Sequence, residues 1–527
     1  MTAKLRRLPK GISSFEVLRK GDYIYVDKTE QIYHLIDQGQ YYFLSRPRRF
    51  GKSLLISTLK ELFEANRALF KGLWIDHSDY LWDAYPVINI SFFKIMSGNA
   101  IELRLAITEQ IDDIARNNKI DLSHFVFLEA KFAKLIEKLA EKNRVVVLID
   151  EYDHAILRNI TNLSVADECR QVLQSFYGVL KDVDKYLRFV FITGVSKFIR
   201  TSIFSGLNNL DDITMDKAGA TLLGYTHSEL LENFKQHIAH SAHELTISSP
   251  EVITQMTEWY DGYQFSQFTE IKNESAKVYN PYSVLLFLSK SIFGNYWFET
   301  GSPRFLLDLI KEQEFQPVTL NDIRLRDSEL GNFQIDRISL PVLLYQTGYL
   351  TIQSYNPSSR IYTLKMPNKE VEVSFLEQVL SLITDVRAVT VDTCLVGAEQ
   401  ALNQDNIDSF CLSLQTFFAA IPLLLHSRFE NYYQSIIFVI LKLSGFITLV
   451  EEQTNLGRID LVMQTSSTIF IMEFKTRGSA QEALKQIEDR QYAQKYLLSS
   501  KKIILVGIFI DVEKPNITDW VVKEIAH

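Results

Sequence analysis

The chain has 527 residues, 46% of them apolar and 12% aromatic, with only 12 prolines; it is too long for one ordinary core and too apolar for disorder, so two or three folded domains are expected. A formal charge of -8 and a pI near 5.8 exclude a protein that coats nucleic acid by bulk charge, while 56 Lys and Arg residues leave room for local basic patches. Cys169, Cys394 and Cys411 lack close spacing, which argues against a disulfide scaffold or thiolate metal site and for a reducing, cytoplasmic setting.

In chain order, the basic amino terminus (MTAKLRRLPKG) has no apolar run behind it, so no secretory leader is expected. Residues 41–44 read as a buried strand, and Leu54, Leu55, Thr58, Leu59 and Leu62 then recur at helical spacing. Gly51, Lys52 and Ser53 sit at the junction, where a phosphate loop belongs. Backbone N–H groups and a helix amino terminus cradle phosphate there, the lysine reaches the outer phosphates, and the hydroxyl reaches Mg²⁺. The usual pattern has a glycine five residues before Gly51, and this chain has Arg46. The exchange removes a place of close backbone approach, while Arg46, Arg48 or Arg49 offers compensating charge; Arg46 and Arg49 join Gly51, Lys52 and Ser53 as candidate nucleotide-binding residues.

Two helical patterns follow at 101–117 and 126–142, then the continuous aliphatic run Val145 to Ile149, as expected of a strand covered on both faces. It ends in Asp150-Glu151-Tyr152-Asp153. Asp150 is the candidate for nucleotide-bound Mg²⁺ and Glu151 for polarising water; the bland alternative is a solvated acidic turn. The strand at 188–198 ends in Thr193, Gly194 and Ser196, which are placed to sit beside phosphates. Strands alternating with helices imply a parallel α/β sheet.

Helical patterns at 228–245 and 282–293 suit a lid. His237, His240 and His243 fall at spacing three on the first, a pattern better read as a solvated face than as a metal site. Arg200 and Arg304 are nucleotide-sensor candidates by location alone. Residues 311–399 read as a connector with a small β unit turning at Asn356-Pro357-Ser358-Ser359. The most apolar stretch, FFAAIPLLL at 417–425, is half the roughly 20 residues a bilayer span needs and is expected to be a buried helix segment.

The sharpest chemical signal is carboxyl-terminal. A helix around 427–443 leads to strands at 457–464 and 468–477, read as a hairpin turning at Thr465-Ser466-Ser467. Glu473 and Lys475 straddle Phe474 and so share a strand face, and Asp460 lies near the start of the first strand. Two carboxylates hold a hard divalent cation and a neighbouring ammonium orients or deprotonates water. The apolar run Ile469 to Met472 puts this pair on a central strand, where unpaired charges are costly; a plain Glu473–Lys475 ion pair is the alternative. A helix at 480–498 and a strand at 503–511 complete an αβββαβ order.

The segments DYIYVDKT (22–29), FLSRPRRFGKSLL (43–55), LIDEYDHAI (148–156), FITGVSKF (191–198) and IFSGLNNLDDIT (203–214), with WYDGY (259–263), VYNPYS (278–283) and YWFETGSP (296–303), resemble a bacterial AAA-ATPase-like family with a carboxyl-terminal PD-(D/E)XK nuclease-like domain. The resemblance covers nearly the whole chain and makes the SRPRRFGKS form of the loop a family trait. It implies an α/β protein: a P-loop ATPase-like parallel sheet (1–220) with a helical lid (221–310), a small connector (311–399) and a PD-(D/E)XK nuclease-like α/β domain (400–527).

It further implies ATP at Lys52, Ser53 and Asp150, with Glu151 at the water. It carries the nuclease motif onto Asp460, Glu473 and Lys475, with Gln486 as the helix glutamine and Glu430 as a further acidic ligand for Mg²⁺ or Mn²⁺. Ile459 stands where the motif's proline would be. The implied function is an ATP-binding, ATP-regulated, metal-dependent nuclease acting on DNA before RNA, with no membrane span and with self-assembly into a homo-oligomer open. The alternatives are an ATP-dependent switch or nucleic-acid-binding module without cleavage, and an interaction protein or secreted effector using inherited folds.

Overall fold

The computed structural model describes residues 5–94, 98–197, 203–204, 207–299, 304–312, 317, 320, 323–331, 339–427, 429–454 and 456–525. The chain divides into two compact units, one of residues 1–305 and 324–371 and the other of residues 306–323 and 372–527.

The first unit is built on five parallel strands, β1 (Tyr41–Ser45), β2 (Val87–Ser91), β3 (Val145–Asp150), β4 (Leu187–Gly194) and β5 (Asp211–Asp212), in the order β2-β3-β4-β1-β5. Every residue of β1 and β3 is buried, the price of a parallel sheet covered by helices on both faces. Because the strands are parallel, all their carboxyl ends lie along one edge. β4 stands between β1 and β3, with Ser45 paired to Gly194 and Ile149 to Ile192. The loops that follow β1 and β3 therefore flank the end of β4, although about 100 residues of chain separate them.

The helix α1 (Lys52–Phe63) starts directly after the β1 loop. The helical patterns expected at 101–117 and 126–142 are found as α2 (Ala100–Asn117) and α3 (Leu128–Ala140). The helices expected at 228–245 and 282–293 are found as α4 (His227–Leu245), opened by a Thr226/Glu229 capping box, and α6 (Pro281–Lys290), with α5 (Ser249–Tyr260) between them. Leu230, Phe234, Val252, Met256, Val284 and Phe287 pack together with Ile24 and Val26 from the amino-terminal segment. α6 stops earlier than the expected 293 because Ser291 takes the left-handed conformation. His237 departs from the solvated face expected of it: it is buried and its Nε2 lies 3.0 Å from the Arg6 carbonyl, while His240 and His243 are exposed. The expected small β unit is the antiparallel hairpin of β6 (Thr351–Asn356) and β7 (Ile361–Lys365), within the first unit.

The second unit holds α7 (Ala388–Asn403), α8 (Ile407–Ala419), α9 (Glu430–Leu443) and α10 (Ala480–Asp489) around a five-stranded sheet. Its strands run in sequence order: β8 (Ile447–Gln453), β9 (Arg458–Gln464), β10 (Thr468–Lys475), β11 (Lys502–Asp511) and β12 (Asn516–Ile525). β9 and β10 form the expected hairpin, and β10 pairs in parallel with β11 across the α10 crossover. Ile459, Val462, Ile471, Leu484, Ile487 and Leu505 form the core beneath it.

Two expectations here are corrected. The helix read at 480–498 ends at Asp489, because Gln491 is left-handed and a short 3-10 turn (Tyr492–Tyr496) follows. The run at 417–425 is not a buried helix throughout. Phe417 and Phe418 are buried at the end of α8, but the chain then turns at Pro422 and Leu424 is fully exposed. Among the described residues, no helix is long and apolar enough to cross a membrane.

Candidate functional site

In the second unit, the hairpin ladder between β9 and β10 ends with Leu461 opposite Met472, and Asp460 and Glu473 are the next residues on the two strands. The Phe474 N–H, no longer bound across this ladder, donates to Asp460 Oδ2 at 2.9 Å. Glu473 is 1% exposed. Its Oε1 accepts from Lys475 Nζ at 3.5 Å and from a closely apposed Gln486 Nε2, while its Oε2 is buried with no hydrogen-bond partner. Burial pushes the Glu473 carboxyl up to about 8, with the nearby Asp460 charge adding to the effect and Lys475 opposing it. Burial likewise pushes Asp460 up to about 6, against the pull of the Phe474 N–H and with a further push from Glu430.

The structure thus brings Asp460, Glu473, Lys475 and Gln486 together. Glu430 stands at the edge of this group at the start of α9, where its Oε2 accepts from the Thr476 N–H at 3.3 Å. Among the described residues, no three His, Cys, Asp or Glu side chains form a group that could hold a metal. Two carboxylates suffice for Mg²⁺, which keeps several waters and completes its shell with substrate oxygens. The orphaned Glu473 Oε2 beside a second carboxylate is the observation that fits a divalent cation.

Two positioning residues escaped the sequence reading. Gln434 Nε2 on α9 donates to the Asp460 carbonyl at 2.8 Å, and Tyr492 donates to the Arg458 carbonyl at 2.7 Å, so both ends of the short Arg458–Asp460 segment are tied down. Gln434 did carry a signal: with Ser435 it is one of two polar residues in the otherwise apolar run Tyr433 to Leu441.

In the first unit, the β1 loop puts Gly51 at φ 98°, a conformation suited to glycine, as the cap of α1. Lys52 is buried and its Nζ donates to the carbonyls of Arg46 (2.9 Å) and Pro47 (3.0 Å), closing the loop on itself. Burial draws the Lys52 ammonium down, and Glu151, Asp150 and Asp153 push it back up. Ser53 is half-buried on the first turn of α1. At the end of β3, Asp150 Oδ1 accepts from Thr193 Oγ1 at 3.1 Å, and Glu151 takes a left-handed φ of 56°. Burial raises the Glu151 carboxyl, opposed by Lys52, and its Oε2 lies 3.8 Å from His154 Nδ1.

Asp153, to which the sequence reading gave no role, is buried and accepts from the Val195 N–H, the Ser196 N–H and the Ser196 hydroxyl, holding the end of β4 against β3. Gly194 is required there: a Cβ would come within 2.5 Å of the Tyr152 ring and 2.7 Å of Asp153. Thr193 and Ser196 are therefore engaged by acidic neighbours, and Lys52 stands among those same acids.

Arg46 does not face the phosphate position. Its guanidinium is buried and donates to the carbonyls of Ser45 (2.8 Å), Thr214 (2.8 Å) and Gly219 (2.6 Å), with the Phe265 ring 4.2 Å away. Arg49 is exposed at φ 68° and lies over the Tyr282 ring at 4.8 Å. Beside Gly51 opens a mainly apolar cavity of 80 Å³ lined by Tyr25, Val26, Phe50, Leu223 and Tyr225. Arg200 and the side chain of Arg304 lie outside the described residues.

Residues 9–204 match the family described as "Predicted AAA-ATPase", and residues 428–520 match the PD-(D/E)XK nuclease superfamily. A protein of Azotobacter chroococcum mcd 1, named for its place in the vnfD 5' region, is 36% identical, with 99% of each chain covered. The chain belongs to this AAA-ATPase-like family with a PD-(D/E)XK domain. Among solved structures, the Aeropyrum pernix ORC1 protein in complex with DNA is similar at 11% identity over 69% of this chain and 96% of that one, with a TM-score of 0.25, a likeness too loose to carry an argument. The two matches fall in different units: the first runs past β4 and stops short of β5, and the second runs from α9 into β12.

Proposed function

We propose that the chain is a nucleotide-binding, metal-dependent nuclease in which Asp460 and Glu473 hold Mg²⁺ or Mn²⁺ and phosphodiester hydrolysis takes place at β10. The observation that carries this reading is the buried, partnerless Glu473 Oε2 beside Asp460 and Lys475. Such a cluster costs stability in a domain that only needs to fold, and it is relieved by a cation. A bound divalent ion supplies Lewis-acid charge at a phosphodiester oxygen and makes bound water more acidic.

The chain's own residues do the rest. Lys475, one quarter exposed, orients the attacking water and offsets negative charge developing on phosphate. Gln486 holds Glu473 Oε1 so that Oε2 is left for the ion, and Gln434 fixes the Asp460 backbone. Mn²⁺ calorimetry at pH 8 tests the site: wild type binds with proton release and Asp460→Ala does not, whereas equal binding by both sinks the assignment.

In the first unit the reading is ATP at the β1 loop. Lys52 would trade its two carbonyl partners for outer phosphate oxygens, Ser53 and Asp150 would hold the accompanying Mg²⁺, and Glu151 would orient water. The apolar cavity beside Gly51, at 80 Å³, would contact only part of a nucleobase.

A second reading, a nucleic-acid-binding switch without cleavage, draws on the lack of a three-residue metal cluster among the described residues and on the hydrogen bonds that already occupy Glu473 Oε1. It predicts DNA retention indifferent to Mg²⁺ and to Asp460→Ala.

A further inference from the structure

Three arginines stand in the β1 loop, and the fold gives each a different task. Arg46 is spent inside: three backbone carbonyls and the Phe265 face occupy its guanidinium. Arg49 is turned outward onto Tyr282 by its left-handed backbone. Arg48 alone is half-buried with a side chain that makes no hydrogen bond or ion pair among the described residues.

The backbone of Arg48 is nonetheless held firmly. Its carbonyl accepts from Trp297 Nε1 at 3.0 Å. The preceding Pro47 lies so close to Gly348 that a Cβ there would come within 2.7 Å of the proline ring. The following Phe50 is buried edge-on against Tyr263 and Phe265, at 4.8 and 5.3 Å. A long cationic side chain thus projects from a rigid base, and holding a charge ready without a partner is the arrangement that suits an anionic ligand. Its charge lowers the pKa of Lys52, Glu151 and His154 alike, the first two being the candidate phosphate and water residues.

We infer that Arg48 is the residue that meets the terminal phosphate of a bound nucleoside triphosphate, supplied from within the loop itself, and that it makes the site prefer ATP to ADP. Lys52 starts the bound state from a closed loop and must first release the Arg46 and Pro47 carbonyls, whereas Arg48 has nothing to release. The inference rests on the nucleotide reading of the first unit. It goes beyond that reading by naming the group that distinguishes triphosphate from diphosphate. It also divides the arginine-rich loop by role: Arg46 builds the loop, Arg48 reads the ligand, and Arg49 rests on the helix α6.

The test is calorimetry of the full chain with Mg-ATP and Mg-ADP for wild type, Arg48→Ala and Arg48→Lys, with thermal melting to show that each variant is folded. Wild type is expected to bind ATP more tightly than ADP. Arg48→Ala is expected to lose about 10- to 100-fold in ATP affinity while ADP affinity stays within about twofold, as one charge-assisted contact would give. Arg48→Lys is expected to keep part of the preference. Equal losses for both nucleotides, or no loss for either, overturns the inference and leaves nucleotide binding standing. If wild type binds neither nucleotide, the nucleotide reading falls and the role of Arg48 with it.

Discussion

The two candidate sites handle buried charge in opposite ways. In the β1 loop the buried cations Arg46 and Lys52 are held by the protein's own carbonyls, five acceptors within 3.0 Å, with Arg46 Nε left without a partner among the described residues. On β10 the buried Glu473 has one oxygen occupied and the other without a partner. A buried cation held by several backbone carbonyls builds structure, whereas a buried carboxylate oxygen left open beside a second carboxylate leaves room for a cation. By this measure Arg46 is a structural post, Lys52 is a ligand group resting in a closed loop, and Glu473 is poised for a cation.

The largest expected effect tests the structural side of the contrast. Arg46→Met strips donors from three buried carbonyls, at about 1–3 kcal/mol each, offset in part by relief of the guanidinium's own desolvation. A net loss of about 3 kcal/mol in the denaturant stability of the first unit is expected; an unchanged midpoint would show that the post supports nothing.

Next comes the resting ligand group. Lys52→Ala should weaken ATP by roughly 100-fold, since it deletes a charge-assisted contact to phosphate. Stability should move less, because two carbonyls are freed rather than three and the desolvation of the buried ammonium is relieved. Calorimetry showing wild-type heats for this variant would remove the β1 loop from nucleotide binding.

On β10 the contrast sharpens through Gln486→Ala, which should cost about 10- to 100-fold in Mn²⁺ affinity by letting Glu473 turn. Asn in place of Gln486 is too short to restore the contact, so it should behave like Ala; full affinity in either variant would mean that the glutamine does not orient the ligand.

The smallest effect is the dependence on pH. The folded Glu473 carboxyl sits at about 8, above its ordinary 4.5, so the folded state holds a proton that the unfolded state has lost. The metal-free chain therefore loses stability as pH rises from about 4.5 toward 8, and Glu473→Gln should flatten that slope. The ion displaces the same proton, so Mn²⁺ affinity should rise by up to about tenfold per pH unit between pH 6 and 8 and then level off. A flat profile would show that Glu473 is already ionised in the metal-free protein.

Much of this was legible in the sequence because it depends on local pattern. The aliphatic runs at 145–149 and 469–472 announced fully buried strands, and period two placed Glu473 and Lys475 on one face. The fate of Arg46 was hidden because its partners, Thr214, Gly219 and Phe265, are about 170 to 220 residues away and are brought in only by the strand order β4-β1-β5 and the chain after α5. Asp153 was overlooked for a similar reason: its three donors come from the end of β4, a strand that periodicity identifies but does not orient. The break after α10 was invisible because the apolar spacing of Ile487, Tyr492 and Tyr496 continues through a left-handed Gln491.

The most direct test of the central claim is cleavage of DNA by wild type and Asp460→Ala, with and without Mg²⁺ or Mn²⁺. The account predicts metal-dependent cleavage by wild type and a loss of about 10²-fold or more in the variant, with Asp460→Ala still folded and still binding ATP. Cleavage that persists in the variant or without metal, or wild type that holds DNA with metal present and never cuts it, would contradict it.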